Sequence, residues 1–233
     1  MPDDASPPRP RSSRSDGEQS RLRLLQAGLA LFAQHGYAQT STRDIAEAAG
    51  TNLAAIGYYF GDKAGLYRAA FRQTMGEPAA DIARYSDPAL TLPDALRGFY
   101  AGFIDPMREG DSTRQCMKLH MREMLEPTGM WEQEIAQGIR PGHEALLALL
   151  RRHLGVKRND DDLQRLATAL AALGVYLHIG RDVTDALAPT LNADSRAFDA
   201  WLDRLALYGE AMVEAERQRR ASTKKNTRRT PSP

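Results

Sequence analysis

Apolar residues recur along this chain at the three-to-four-residue step of a helix face, and no strand signal appears. Leu22, Leu25, Leu29 and Phe32 mark one such face on a helix from about Glu18 to His35, with Gly36 placed as its C-terminal cap. Between Thr40 and Leu66 the elements shorten. Ile45, Ala46 and Ala49 form an apolar face that Ser41 caps, with Asp44 three residues on, and Gly50 ends it. Thr51 and Asn52 bring side-chain oxygens to the next helix start, and Leu53, Ile56 and Phe60 follow at buried-stripe spacing. Asp62 caps a third start that carries Leu66. Two short helices joined by a tight turn read as a helix-turn-helix, whose second helix enters the DNA major groove.

Beyond Leu66 the pattern stays helical. A longer helix runs from Lys63 past Tyr67, Ala70 and Phe71 toward about Arg84, and Pro78 kinks or breaks it. Leu96, Phe99, Tyr100 and Phe103 mark a helix from about Pro93 to Met107. Met117, Met121, Met124 and Leu125 mark another, near Thr113 to Leu125, which Pro127 stops. Segments from Trp131 to about Ile139 and from Gly142 to Leu154 complete a layer. The last two helices are the most regular, with Leu163, Leu166, Leu170, Leu173 and Leu177 on one and Phe198, Leu202, Leu205 and Met212 beside Trp201 on the other. Stripes this wide can simply face the core, but Ala167, Ala169, Ala171, Ala172 and Gly174 make the first of these helices apolar nearly all round, which suggests cover on two sides, as a helix pair across a two-fold axis supplies. The expected fold class is all-α, with an N-terminal three-helix DNA-binding head and a larger helical ligand-binding and dimerisation body, about nine or ten helices in total.

The run S-T-R-D-I-A-E-A-A-G, then N-L-A-A-I-G-Y-Y-F, then K-A-G-L-Y resembles the DNA-binding signature of the tetracycline-repressor (TetR) family. With the first helix, the resemblance covers roughly the first third of the chain. It implies that Thr42 touches phosphate, that Thr51 and Asn52 open the recognition helix, and that Leu53, Ala54 and Ala55 approach base edges. It also implies that Tyr58 and Tyr59 touch backbone or bases and that Lys63 binds phosphate. Gly57 departs from the pattern by standing where many relatives have tyrosine, so readout leans on thymine methyls and on Asn52. TetR-like proteins dimerise through their last two long helices, which points to Leu166, Leu170, Leu173, Leu177, Phe198, Trp201, Leu202 and Leu205 as the interface. In such regulators a ligand in the helical body shifts the separation of the DNA-reading heads. The segment M-R-E-M-L-E-P-T is similar to the family's CecR-like branch.

Composition changes this picture at a few points. The 233 residues, 42% hydrophobic and 26% charged, suit an ordinary soluble protein of one or two domains. One cysteine, Cys116, excludes an intramolecular disulfide framework and, with no secretory signal and no apolar run long enough for a membrane helix, leads to the expectation of a cytoplasmic protein without membrane partners. A net charge of +1 argues for no particular partner, and Arg43, Lys63 and Arg68 against Asp44, Glu47 and Asp62 leave even the DNA reader neutral. Residues 1–17 are expected to be a disordered tail whose Arg9, Arg11 and Arg14, with Arg21 and Arg23, are weighed as a DNA arm. Basic residues gather after Glu216, and 217–233 is expected to be a solvated, disordered tail, with a nonspecific phosphate contact as the alternative. The head is then 18–65 and the body 66–216.

Candidate chemistry outside the head is thin. Cys116, His120 and Glu123 share a helix face at metal-ligand spacing, but no second cysteine or histidine cluster accompanies them, so no metal or cofactor is expected. No nucleophile elbow, P-loop, zinc-protease or dinucleotide motif is present, which weighs against an enzyme or carrier with a vestigial helix-turn-helix. Tyr100, Phe103, Met107, Met117, His120, Met121, Met124, Trp131, His143, Tyr176 and His178 mix apolar walls with polar handles, as a small-molecule effector site requires. The sequence therefore predicts a homodimeric repressor of a pseudo-palindromic double-stranded DNA operator, released by a small ligand. An activator of the same fold is the alternative.

Overall fold

The structure is a computed structural model and describes residues 12–73, 78–108 and 111–227. Among the described residues every regular element is helical, as the spacing predicts: twelve α-helical segments with one π turn and one 3-10 turn. The chain divides into two compact units, 1–74 and 75–233.

In the first unit, α1 (Ser12–Gln39) breaks at Gly36, whose φ of 80° ends the regular helix where the sequence places its cap. The buried face is Leu24, Leu25, Leu29 and Phe32, whereas Leu22 is exposed, so the stripe begins two residues later than the spacing suggests. The Thr40 hydroxyl donates to the Gly36 carbonyl at 2.7 Å and closes the break. α1 begins at Ser12, not at about Glu18. Residues 12–17, expected to be part of a disordered tail, continue the helix, and its start is tied down: Gly17 faces the Tyr59 hydroxyl and the Arg21 guanidinium lies 5.4 Å from the Phe60 ring centre. Arg9 and Arg11, and the Arg14 side chain, lie outside the described residues.

α2 (Thr42–Ala48) carries the expected reciprocal cap, with Ser41 Oγ accepting from the Asp44 N–H and the Asp44 carboxylate accepting from the Ser41 N–H. Gly50, at φ 61°, ends it in a paired arrangement in which the Gly50 N–H donates to the Glu47 carbonyl and the Thr51 N–H to the Ala46 carbonyl. α3 (Ala54–Phe60) and α4 (Lys63–Gln73) follow. α4 belongs to the head, not to the body: Leu66, Tyr67, Ala70 and Phe71 are buried, Leu66 against Gly28 of α1 and the Tyr67 ring edge-on to Phe32 at 5.0 Å. The boundary therefore falls near Thr74 rather than at 65–66.

The second unit opens with α5 (Pro78–Ser86), where Pro78 occupies the first turn, in which its missing N–H costs nothing. α6 (Leu92–Arg108), α7 (Asp111–Leu125), α8 (Trp131–Glu134), α9 (Arg140–Leu154), α10 (Asp161–Ile179), α11 (Arg181–Leu187) and α12 (Ser195–Thr227) complete the body. α8 runs into α9 through a π turn, Ile135–Ile139, just before Pro141. Proline there cannot donate to the carbonyl four residues back, and the wider turn accommodates it. α5 and α6 cross so closely at Gly98 that a Cβ would overlap the Arg84 carbonyl. The core joins Leu96, Tyr100 and Ile104 of α6 to Leu146, Leu149 and Leu150 of α9, Leu163 and Leu170 of α10, and Val213 of α12.

Two expectations for the last helices change. Leu166, Leu170, Leu177, Phe198, Leu202 and Leu205 are buried inside the single chain, with Leu173 and Trp201 packed against them, so the stripes read as an interface are the body's own core. The exposed faces lie beside them. On α10, Ala172, Tyr176 and Ile179 continue into Val183 of α11, and on α12 Leu207, Tyr208 and Ala211 are exposed.

Residues 217–227, expected to be disordered, extend α12. Their arginines are neutralised within the body. Arg220 donates to both Asp160 oxygens at 2.7 Å and to Glu216 at 2.6 Å, Arg219 reaches Asp162 at 2.6 Å and Glu216 at 2.7 Å, and Arg217 pairs with Glu214 and the His153 carbonyl. The Lys224 and Lys225 side chains, with Arg228 and Arg229, lie outside the described residues. Hydrogen bonds from Arg220 hold the Asp160 carboxyl well below the usual carboxylate range, Arg165 does the same for Asp162, and Arg219 for Glu216. A depressed carboxyl contributes stability above its unfolded value and loses it as pH falls. The body should accordingly keep its stability from neutral pH down to about 4 and lose it progressively below, in urea titrations at stepped pH. Arg220→Met should flatten that acid limb, and an unchanged limb would remove the clamp from the account.

Candidate DNA-contact surface

The head's surface is assembled by caps. Asn52 Oδ1 accepts from the Ala55 N–H at 2.9 Å and starts α3, and Asp62 Oδ1 accepts from the Gly65 N–H at 2.6 Å and starts α4. Ile56 is the buried anchor of α3. Leu53, grouped with Ile56 by spacing, is half exposed, because it precedes the helix and turns outward.

None of Thr42, Thr51, Asn52, Leu53, Ala54, Ala55, Tyr58, Tyr59 and Lys63 is buried. Tyr58 is 83% exposed, which excludes core packing as its role; Tyr59 is half-buried, its ring edge-on to Tyr58 at 4.8 Å. Exposed Arg43 beside Thr42 adds a cation that the sequence reading counts but does not assign. Tyr37 is a residue that sequence reasoning misses. The Lys63 ammonium sits 4.4 Å from its ring centre, so the aromatic face holds the lysine at the start of α4. The only sequence signal for this is an aromatic directly after the glycine that ends the first helix.

Asn52 changes its part. Reading adenine with both arms of an asparagine amide needs a donor and an acceptor, and here the acceptor is engaged by the helix start. Its NH2 is the arm that the cap leaves unused. Asn52→Ala should lower head stability by about 1 kcal/mol. Asn52→Asp should preserve the cap and the stability while weakening DNA binding through charge. Thermal melts beside anisotropy titrations separate the two, and a stable Asp variant with undiminished DNA binding would leave Asn52 as a cap only.

In the body the residues read as a ligand site divide. Tyr100 and Met107 are core, with the Tyr100 hydroxyl donating to the Leu170 carbonyl at 3.1 Å and its phenol pushed up by burial. Tyr176 points outward on α10, 57% exposed. His143 pairs with Gln164 at 2.8 Å; His178 donates to the Phe103 carbonyl at 2.8 Å, and burial lowers its imidazole, with Arg181 adding to the effect and the carbonyl opposing it. Phe103 packs against Gly174. Met117, His120, Met121 and Met124 share a face of α7, and Trp131 opens α8.

The three residues at metal-ligand spacing, Cys116, His120 and Glu123, have other surroundings. His120 Nδ1 donates to the Cys116 backbone carbonyl at 3.1 Å. Glu123 is fully buried and accepts from the Thr128 N–H and hydroxyl and the Met130 N–H. Glu134, which the sequence did not single out, is 9% exposed; its Oε1 lies 3.9 Å from His120 Nε2 and its Oε2 is buried with no donor. Burial pushes the Glu134 carboxyl up, opposed by His120.

Head and body together define a class: an all-α transcription regulator with a helix-turn-helix reader. The profile of the "Bacterial regulatory proteins, tetR family" matches residues 24–70, and that of the "HTH-type transcriptional dual regulator CecR, C-terminal domain" matches residues 92–215. The chain belongs to the TetR family, in its CecR-like branch. It is 33% identical to the HTH-type transcriptional dual regulator CecR of Shigella flexneri over 176 residues, 71% of this chain and 78% of that protein. It is 33% identical to the HTH-type transcriptional regulator BetI of Stenotrophomonas maltophilia over 109 residues, 46% of this chain and 56% of that one. The fold is shared with HlyIIR, a hemolysin II transcriptional regulator, at a TM-score of 0.55 and 21% identity over 79% of this chain and 97% of that one. It is also shared with SmeT in its triclosan complex, at 0.53 and 21% over 84% and 90%. No helix among the described residues is long and apolar enough to cross a membrane.

Proposed function

We propose that the chain is a homodimeric regulator that represses from a pseudo-palindromic operator and is released by a small molecule bound in the helical body. The observation that carries the DNA reading is the recognition helix itself: Leu53, Ala54, Gly57 and Tyr58 are exposed on α3 and its N-terminal turn, flanked by Thr42 and Lys63 at two neighbouring helix starts. The exposed apolar faces of α10 and α12 support a second copy of the chain as their cover. The ligand reading is supported by the fold's occurrence in a triclosan complex of SmeT. An effector releases DNA only if it binds the non-competent conformer more tightly than the competent one. CecR, a relative named as a dual regulator, favours activation at some promoters as the second reading.

Anisotropy titrations with DNA from the protein's own upstream region test the first part, and no sequence-preferring complex at moderate salt would overturn it. Lys63→Ala should weaken specific and nonspecific DNA alike, by roughly tenfold each, and reduce the salt slope by about 1. Equal binding by variant and parent would remove the phosphate role.

A further inference from the structure

Two buried glutamates, Glu123 and Glu134, sit eleven residues apart in the body and are treated differently. Glu123 is held by three donors from the loop that follows α7. Glu134 is not: Oε2 is shielded from water and receives nothing, and Oε1 lies 3.9 Å from His120, beyond hydrogen-bond length. A buried carboxylate oxygen without a donor is unfavourable, and folded chains satisfy such groups by protein, water or ligand. The fold also makes room for this carboxylate. It lies over Gly138, where a Cβ would overlap Oε1, and it immediately precedes the π turn Ile135–Ile139.

The surroundings suit an amphipathic guest. Trp131, one turn before Glu134, is half-buried, as are Met117 and Met121, and Met124 is 39% exposed. His120 lies on the same α7 face, and its approach to Glu134 shows that the α7 and α8 faces meet. Adaptable thioethers and an aromatic face beside a carboxylate lacking a donor match a cation on an apolar body. His120 approaches Oε1 only, so a cationic donor would satisfy Oε2 and add an attraction that a neutral donor lacks, and a metal ion needs more ligands than are gathered: no group of three among the described residues could hold one.

We propose that Glu134, with Trp131, His120, Met117, Met121 and Met124, forms a recognition site for a protonated amine with an apolar body, the amine donating to Glu134 Oε2. The inference rests on the ligand-responsive reading above and names the chemical class of the effector. Titration of the full-length protein with dansyl-1,6-diaminohexane, followed by dansyl fluorescence, should give binding at least tenfold tighter than the uncharged dansyl-6-aminohexanol. Glu134→Gln should bring the two probes within twofold. Gly138→Ala, which keeps the charge and displaces the carboxylate, should also narrow the gap, and it decides the matter if the Gln variant melts early. Equal binding of both probes by the parent, binding of neither, or a preference surviving in both variants would overturn the proposal. Operator affinity measured on the same samples without probe reports separately on the regulator reading.

Discussion

Alanine at Gly65 is expected to weaken DNA binding severely while leaving the body folded. A Cβ there would overlap the carbonyl oxygen of Phe60, a backbone atom that no rotamer change can move away. The same glycine donates its N–H to Asp62, so relaxing the clash breaks the cap that starts α4. Overpacking of this kind costs about 3 kcal/mol, and its effect is confined to the joint that fixes α3 against α4. We expect DNA affinity to fall by at least about 100-fold, read by anisotropy. The melt should show early loss of the head with the body's transition retained. A variant that binds DNA within a few-fold of the parent would show that this joint can open without displacing the recognition helix.

The second large effect concerns association. Ile179→Glu combined with Leu207→Glu should convert the proposed dimer into a monomer in sedimentation and reduce DNA affinity by about 100-fold or more, because each carboxylate buried unpaired in that interface costs several kcal/mol. Both side chains are half exposed in the single chain, so neither substitution opens a hole in the core. Leu170→Glu, by contrast, should unfold the body, since Leu170 is fully buried there. A double variant that stays dimeric would move the interface to another face.

That contrast shows how far the sequence could be read. Periodicity correctly found two apolar stripes on α10 and α12, but a helix needing cover on two sides does not announce which side its own chain covers. Leu166 and Leu170 face inward, and Tyr176 and Ile179 outward, only because of how α6 and α9 dock. The head was more legible, because its caps are local: Ser41 with Asp44, Asn52 with Ala55 and Asp62 with Gly65 each act within three residues. What escaped was the nonlocal, namely Tyr37 beneath Lys63 and Glu134 beside His120. The basic C-terminal run was misread for the same reason. Glu214 and Glu216 supply part of the pairing from just before the run, but Asp160 and Asp162 lie about sixty residues earlier, so the segment by itself reads as mostly unpaired.

Asp160 carries two obligations at once. Its Oδ1 accepts the Leu163 N–H that starts α10, while both its oxygens accept from Arg220 near the end of α12. The beginning of one long helix and the last turns of another are thereby latched through a single carboxylate. Fraying from the C-terminus cannot stay local: once the end of α12 lets go, α10 loses part of what orients its cap. A tag or truncation near residue 220 would be felt first at residue 160, by a loosening of amide exchange at Leu163 far away in sequence.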